Sequence, residues 1–240
     1  MFLTHINYYV DKNCSYGVVG AVVLVNVYVL QYLPDTIVVS FLTGCACIAA
    51  AASKGLKRII KQSRPPGAPK VSPGMPSNHA TSLSFLCVAT VYGLQRCAVS
   101  TAIVRGMNQT LFYTPQLPSA QLSYVLPLQV LIAVYSMYAA GLRVVWGHHT
   151  VAQVAAGYLL GFFFAILSLA ANYSGYTGSR SGGRVDDLPL PVKAIVFLAS
   201  VVVSAMAIRS IIRGAHVPRG ARTGHLSSCG RRTKSDGGGV

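Results

Sequence analysis

Apolar residues run almost unbroken over 17–33, 36–53, 78–97, 122–141, 150–171 and 191–213, and each run is close to the ~20 residues that a helix needs to cross a bilayer core. The pattern predicts an all-α polytopic membrane bundle of about six transmembrane helices, with four to six spans compatible with it. Two runs carry the weakest signal. The first, 17–33, is short, and the third opens on Asn78, His79, Thr81, Ser82 and Ser84. No basic segment precedes the first run and no small-residue cleavage site follows it, so it reads as a retained helix. No internal repeat is visible. From about residue 214, Gly, Ser and basic residues leave little apolar material to bury, which predicts a disordered tail. The expected organisation is a membrane domain over 1–213 and a basic tail over 214–240.

Composition agrees with the pattern, because 52% hydrophobic and 10% charged residues do not fit a soluble globule of 240 residues. The net charge of +15 raises the question of nucleic acid. The cations are not interleaved with aromatics on a soluble module, and no helix-turn-helix or zinc pattern occurs, so the expected partners are membrane lipids and not nucleic acid. The six cysteines include Cys45-Ala-Cys47, a spacing that suits neither a redox pair nor a zinc site. They read as packing residues.

The acidic inventory restricts the chemistry further, since the chain has five aspartates (Asp11, Asp35, Asp186, Asp187, Asp236) and no glutamate. None lies near His79 in sequence. Paired-carboxylate catalysis and a carboxylate-held magnesium both need acids in the site. The chain therefore points to chemistry without metal or cofactor, run on His, Lys, Arg and Ser.

Such residues cluster twice. The segment KGLKRIIKQSRPPGAPKVSPGMPSNHA carries six cations between 54 and 70. Taken alone, such a run is usually a solvated face. If the second helix continued through Ser63, Lys57, Lys61 and Arg64 would share one face, where like charges repel unless an anion joins them. The next helix starts at Ser77, whose free backbone N–H groups and positive dipole end would suit the same anion, although Ser77 is equally an ordinary N-cap. The second cluster, GLRVVWGHHTVAQVAAG, puts Arg143, His148 and His149 just ahead of an apolar helix. His149 and Gln153 are four apart, so the amide oxygen could fix the imidazole tautomer. The second helix delivers the chain to one face, the third leaves it and the fourth returns, which brings both clusters to the same side of the membrane.

Together these residues resemble the type 2 phosphatidic acid phosphatase superfamily, whose signature is K-x6-R-P, then P-S-G-H, then S-R-x5-H-x3-D. Here the parts are Lys57 to Arg64-Pro65, Pro76-Ser77-Asn78-His79, and Arg143 to His149. The resemblance covers roughly residues 54 to 157. Asn78 stands for the glycine, Leu142 for the serine and Gln153 for the aspartate. The last exchange, with HTVAQVAAG, GMPS and the opening LTHINY, is similar to the dolichyldiphosphatase branch.

The resemblance implies a membrane phosphatase acting on a polyisoprenoid lipid diphosphate, with no obligate protein partner. It implies that His149 is the nucleophile and His79 the general acid and base. Gln153 would orient His149, while Lys57, Arg64, Ser77, Asn78 and Arg143 would hold phosphate oxygens. A diphosphate has a better leaving group than a monoester, so a neutral Gln behind the histidine would suffice and Gln153→Asp would not abolish turnover. The alternatives are a broader lipid phosphate phosphatase and a non-catalytic phosphate-binding membrane protein. The resemblance further implies an endoplasmic reticulum protein with a luminal site, whereas the basic tail argues by the positive-inside rule for a cytosolic face. Three sequons, at Asn13, Asn108 and Asn172, bear on that orientation.

Overall fold

The structure is a computed structural model that describes residues 2–32, 36–68, 72–108, 119–172 and 185–215. It contains six helices among those residues: α1 (Phe2–Tyr32), α2 (Val38–Ile60), α3 (Asn78–Asn108), α4 (Ser119–Val145), α5 (Val151–Asn172) and α6 (Leu190–Ala215). The chain divides into residues 1–204, which hold α1 to α5 and α6 as far as Ser204, and residues 205–240. Of the second unit, Ala205–Ala215 is described as helix. The expected tail therefore lies, except for its first two residues, outside the described residues.

The bundle is an all-α membrane bundle turned inside out relative to a soluble one. Leu24, Tyr124, Leu131, Leu159, Phe163 and Val202 stand exposed, while Ser53, Thr81, Ser84, Gln153 and Asn172 are buried to 2% or less. Large apolar side chains on the outside and small or hydrogen-bonded polar ones inside is the arrangement that lipid favours. Among the described residues, Val38–Ile60, Tyr124–Val145 and Val151–Asn172 are long and apolar enough to cross a membrane, and Tyr16–Val29 and Leu190–Met206 are shorter apolar helices. The first helix begins at Phe2 and so far ahead of its apolar run, because polar residues can continue a helix beyond the membrane core.

The centre is α3, packed on α5, α4 and α2. Two glycines of α5 allow its closest approach. A Cβ at Gly157 would strike the Ser77 carbonyl oxygen and come within 2.9 Å of its nitrogen, and one at Gly161 would strike the Thr81 carbonyl. The Gly157-x-x-x-Gly161 stripe thus seats the first turn of α3 directly on the α5 backbone, as small residues do between membrane helices. Polar clasps reinforce the contacts. Ser136 of α4 donates to the Leu83 carbonyl of α3 (3.2 Å) and shares a hydrogen bond with the Tyr158 hydroxyl of α5 (3.0 Å). Asn26 of α1 donates to Thr43 (3.0 Å) and accepts from Ser40 (3.1 Å) of α2.

Asp186 accepts from Thr36 and from the Ile37 N–H, both at 2.8 Å. The start of α2 thereby has a carboxylate at its positive end. Asn172 is buried, with its side-chain oxygen on the Val185 N–H (3.0 Å). Of the sequon asparagines whose side chains are described, Asn172 is turned inward and Asn13 is exposed.

Candidate active site

The two cationic clusters do meet, but not on a helical face. α2 ends at Ile60, and Lys61 takes a left-handed conformation (φ 51°, ψ 21°) with its N–H on the Lys57 carbonyl. The expected continuation through Ser63 is corrected accordingly. Arg64 precedes Pro65, a position that disfavours helix, and the carbonyls just ahead of it are used elsewhere. Gln62 accepts from the Gly74 N–H (2.8 Å) and Ser63 from the Gln153 side chain (2.7 Å). Pro65 to Ala68 then form a turn, closed by the Ala68 N–H on the Pro65 carbonyl (3.2 Å), with Gly67 at φ 82°. This is the type II geometry that Pro then Gly prefers. Lys61 is left exposed.

Arg64 crosses the gap instead. Its Nε donates to the Ser72 carbonyl (2.9 Å), and its Nη1 to the His148 carbonyl (2.7 Å) and to His149 Nε2 (3.1 Å). His149 arrives there through a Schellman turn at the end of α4. Gly147, at φ 65°, donates to the Val144 carbonyl (2.9 Å) and His148 to the Arg143 carbonyl (3.0 Å). Glycine is the residue that adopts this conformation without strain.

The next step is a reciprocal capping box. Thr150 Oγ1 accepts from the Gln153 N–H, and Gln153 Oε1 from the Thr150 N–H, both at 3.3 Å. The same Oε1 lies 3.1 Å from His149 Nδ1. A backbone N–H can only donate, so Oε1 is fixed as acceptor and Nδ1 must carry the proton. The Nε2 lone pair is then free to accept from Arg64, which supports the same tautomer independently. Burial, then the Arg64 charge, push the His149 pKa down from 6.5 to about 4; the Gln153 contact opposes this, and Lys57 and Arg143 add to it. At neutral pH the ring is uncharged, with its proton on Nδ1 and the Nε2 lone pair presented.

Gln153 is fully buried, and its Nε2 also reaches Gln62 Oε1 (3.3 Å). Gly74 leaves room for this amide, for a Cβ there would overlap its atoms. The Gln153 carbonyl accepts from Ser77 N–H (3.0 Å). That corrects one expectation: the Ser77 donor is spent in joining the starts of α3 and α5, so an anion at this helix end relies on donors beyond it. The Ser77 hydroxyl instead caps α3 at the Ala80 N–H (3.5 Å). Asn78 is likewise turned aside, accepting from Ser53 of α2 (2.6 Å), so its side-chain oxygen serves to position the α3 start. His79 stands in that first turn, half-buried. Lys57 and Arg143 are near enough to depress the His149 pKa, and burial followed by the Arg143 charge lowers that of Arg64. Three cations thus surround the histidine, as a multiply charged anion requires.

One member of the site had no local signal. Asp11, on α1, accepts both of its contacts with Arg143 from Nη1, at 3.1 and 2.9 Å, and its Oδ2 lies 3.4 Å from His148 Nε2. His148, which the motif leaves without a role, is thereby tied to α1. Arg143 Nε is buried without a partner among the described residues. Asp11→Ala is expected to lower stability by about 3–5 kcal/mol, the range for stripping one partner from a buried ion pair. Thermal unfolding in detergent reads this, and an unchanged midpoint would remove Asp11 from the site.

Comparisons with known proteins point the same way. A sequence model described as "PAP2 superfamily" matches residues 38–175. Two Arabidopsis thaliana proteins are similar over part of their length. Lipid phosphate phosphatase epsilon 1, chloroplastic, is 33% identical over 118 residues, covering 49% of this chain and 35% of the relative. Lipid phosphate phosphatase epsilon 2, chloroplastic, is 30% identical over 115 residues, covering 48% and 33%. The match spans about a third of each relative, and no solved structure matches the chain. The family match takes in more than half of the chain and contains every site residue named above except Asp11, so by sequence and by the residues brought together around His149 this chain belongs to the PAP2 superfamily.

Proposed function

We propose that this protein is a metal-independent lipid phosphatase of the endoplasmic reticulum membrane that hydrolyses dolichyl diphosphate to dolichyl phosphate and phosphate. Its site would face the lumen, and its product would re-enter the dolichol cycle of protein N-glycosylation. The observation that carries the chemistry is the fixed tautomer of His149, protonated at Nδ1 toward Gln153 with Nε2 on Arg64.

In this reading a terminal phosphoryl group takes the place in front of Nε2, and Arg64, Lys57 and Arg143 hold its oxygens. Nε2 attacks phosphorus as the bridging P–O bond breaks, and His79 gives its proton to the departing lipid phosphate. His79 then takes a proton from water, whose oxygen attacks the phosphohistidine. Phosphate leaves and both histidines return to their starting states. The cations stabilise charge that shifts among the oxygens, which is where most of the rate enhancement in phosphoryl transfer arises.

A broader substrate range, including phosphatidate, is favoured by one observation: both similar plant proteins are named lipid phosphate phosphatases. Phosphate release from dolichyl diphosphate and from phosphatidate, in detergent with excess EDTA, separates the two. Preference for the diphosphate is expected. Preference for phosphatidate would leave the phosphatase reading in place and remove the dolichyl assignment, and release from neither would favour a phosphate-binding membrane protein.

A further inference from the structure

A groove of about 580 Å³ runs between α4 and α5, with Met137, Gly141 and Val144 on one wall and Val151, Ala155 and Leu159 on the other. Tyr158 also lines it, and its hydroxyl is turned to Ser136. The groove opens at the loop that carries the site: Val144 follows Arg143, and Val151 lies two residues past His149. From Val151 to Leu159 it follows α5 for about 12 Å at the helical rise. Both walls belong to helices long and apolar enough to cross a membrane. At that depth an apolar groove is filled by hydrocarbon, because water there would lack hydrogen-bond partners.

Gly141 gives a second observation. Gly157 and Gly161 are kept bare by the α3 backbone, but a Cβ at Gly141 would meet nothing within 4 Å. Its φ is not positive, so no turn requires it either. A mid-helix glycine is less favourable than alanine, and what its missing side chain does here is leave the wall of the groove open.

We propose that this groove is the subsite for the phosphate-proximal part of the substrate's hydrocarbon chain. A lipid whose phosphoryl group faces His149 lays its first ~12 Å of chain along α5 from Val151 to Leu159, which makes chain length a determinant of turnover. The inference rests on the lipid phosphatase reading.

The test holds the head group constant and varies the chain, comparing isopentenyl diphosphate with farnesyl diphosphate on wild type, Gly141→Leu and Ala155→Leu. Filling the groove is expected to lower kcat/KM for the farnesyl substrate by at least about tenfold and to leave that for the isopentenyl substrate within about twofold. The short substrate also reports folding, and two variants on opposite walls guard against one that misfolds. An equal loss on both substrates, or no loss on either, overturns the groove assignment while the phosphatase reading stands. If wild type releases phosphate from neither of these nor from dolichyl diphosphate or phosphatidate, the reading falls and the inference with it.

Discussion

His149→Ala is expected to reduce phosphate release by at least about a thousandfold, since in the proposed mechanism its Nε2 is the attacking atom and the loss of a nucleophile is not made up by neighbours. The phosphoenzyme distinguishes this from general damage. With substrate labelled in the terminal phosphate, wild type should acquire acid-labile label, His149→Ala none, and His79→Ala label that accumulates because water is no longer activated. Label retained in His149→Ala would place the nucleophile elsewhere. The depressed pKa adds a pH signature: the His149 ring of the free protein should titrate by NMR near pH 4 and not near 6.5. Between those values the unfolded chain holds a proton on this ring that the folded chain does not. Folding therefore gains from His149 as pH rises through the window and loses that contribution as pH falls through about 4. A ring titrating near 6.5 would mean that neither burial nor Arg64 acts on it as the geometry requires.

Each apolar run became a helix, because in lipid the backbone has few other ways to satisfy its hydrogen bonds and length alone nearly specifies the element. The motif spacings also picked out Lys57, Arg64, Arg143 and His149, which the fold brings near one another because they lie in last helical turns or on the segments that follow them. What local pattern misjudged was where backbone donors go. Pro65 was a readable sign that α2 would not reach Arg64, and Thr150-x-x-Gln153 was a readable capping box. Both bear on Gln153, whose amide joins the 62–74 loop to the start of α5. Gly157-x-x-x-Gly161 was legible as a close-packing stripe, and it explains why α3 starts so near His149. Asp11 was not legible. It lies 132 residues from Arg143, and nothing in its neighbourhood distinguishes it from a surface acid.

The Gln153 network leads to an expectation that shape alone would reverse. Gln153→Glu is the closest isostere, yet it replaces an amide that donates to the Ser63 carbonyl at 2.7 Å and to Gln62 Oε1 at 3.3 Å. A carboxylate oxygen would then face two acceptors at a position with no solvent access. Either the 62–74 loop moves off α5 or the acid takes up a proton, and His149 loses its fixed partner in the first case. Gln153→Asp is one methylene shorter. Its carboxylate draws back from Ser63, whose exposed position lets water take over its carbonyl, and it still offers an acceptor to His149 Nδ1 and to the Thr150 N–H. Gln153→Asp is therefore expected to keep turnover within about tenfold, and Gln153→Glu to lose about a hundredfold or more, each tenfold corresponding to ~1.4 kcal/mol. The Glu variant should recover as pH falls, since a protonated carboxyl can again donate to Ser63. Steady-state kcat for both across pH, beside their melting curves, decides the matter. An active Glu variant with a dead but folded Asp variant would mean that side-chain length at 153, and not the donor to Ser63, holds the nucleophile in place.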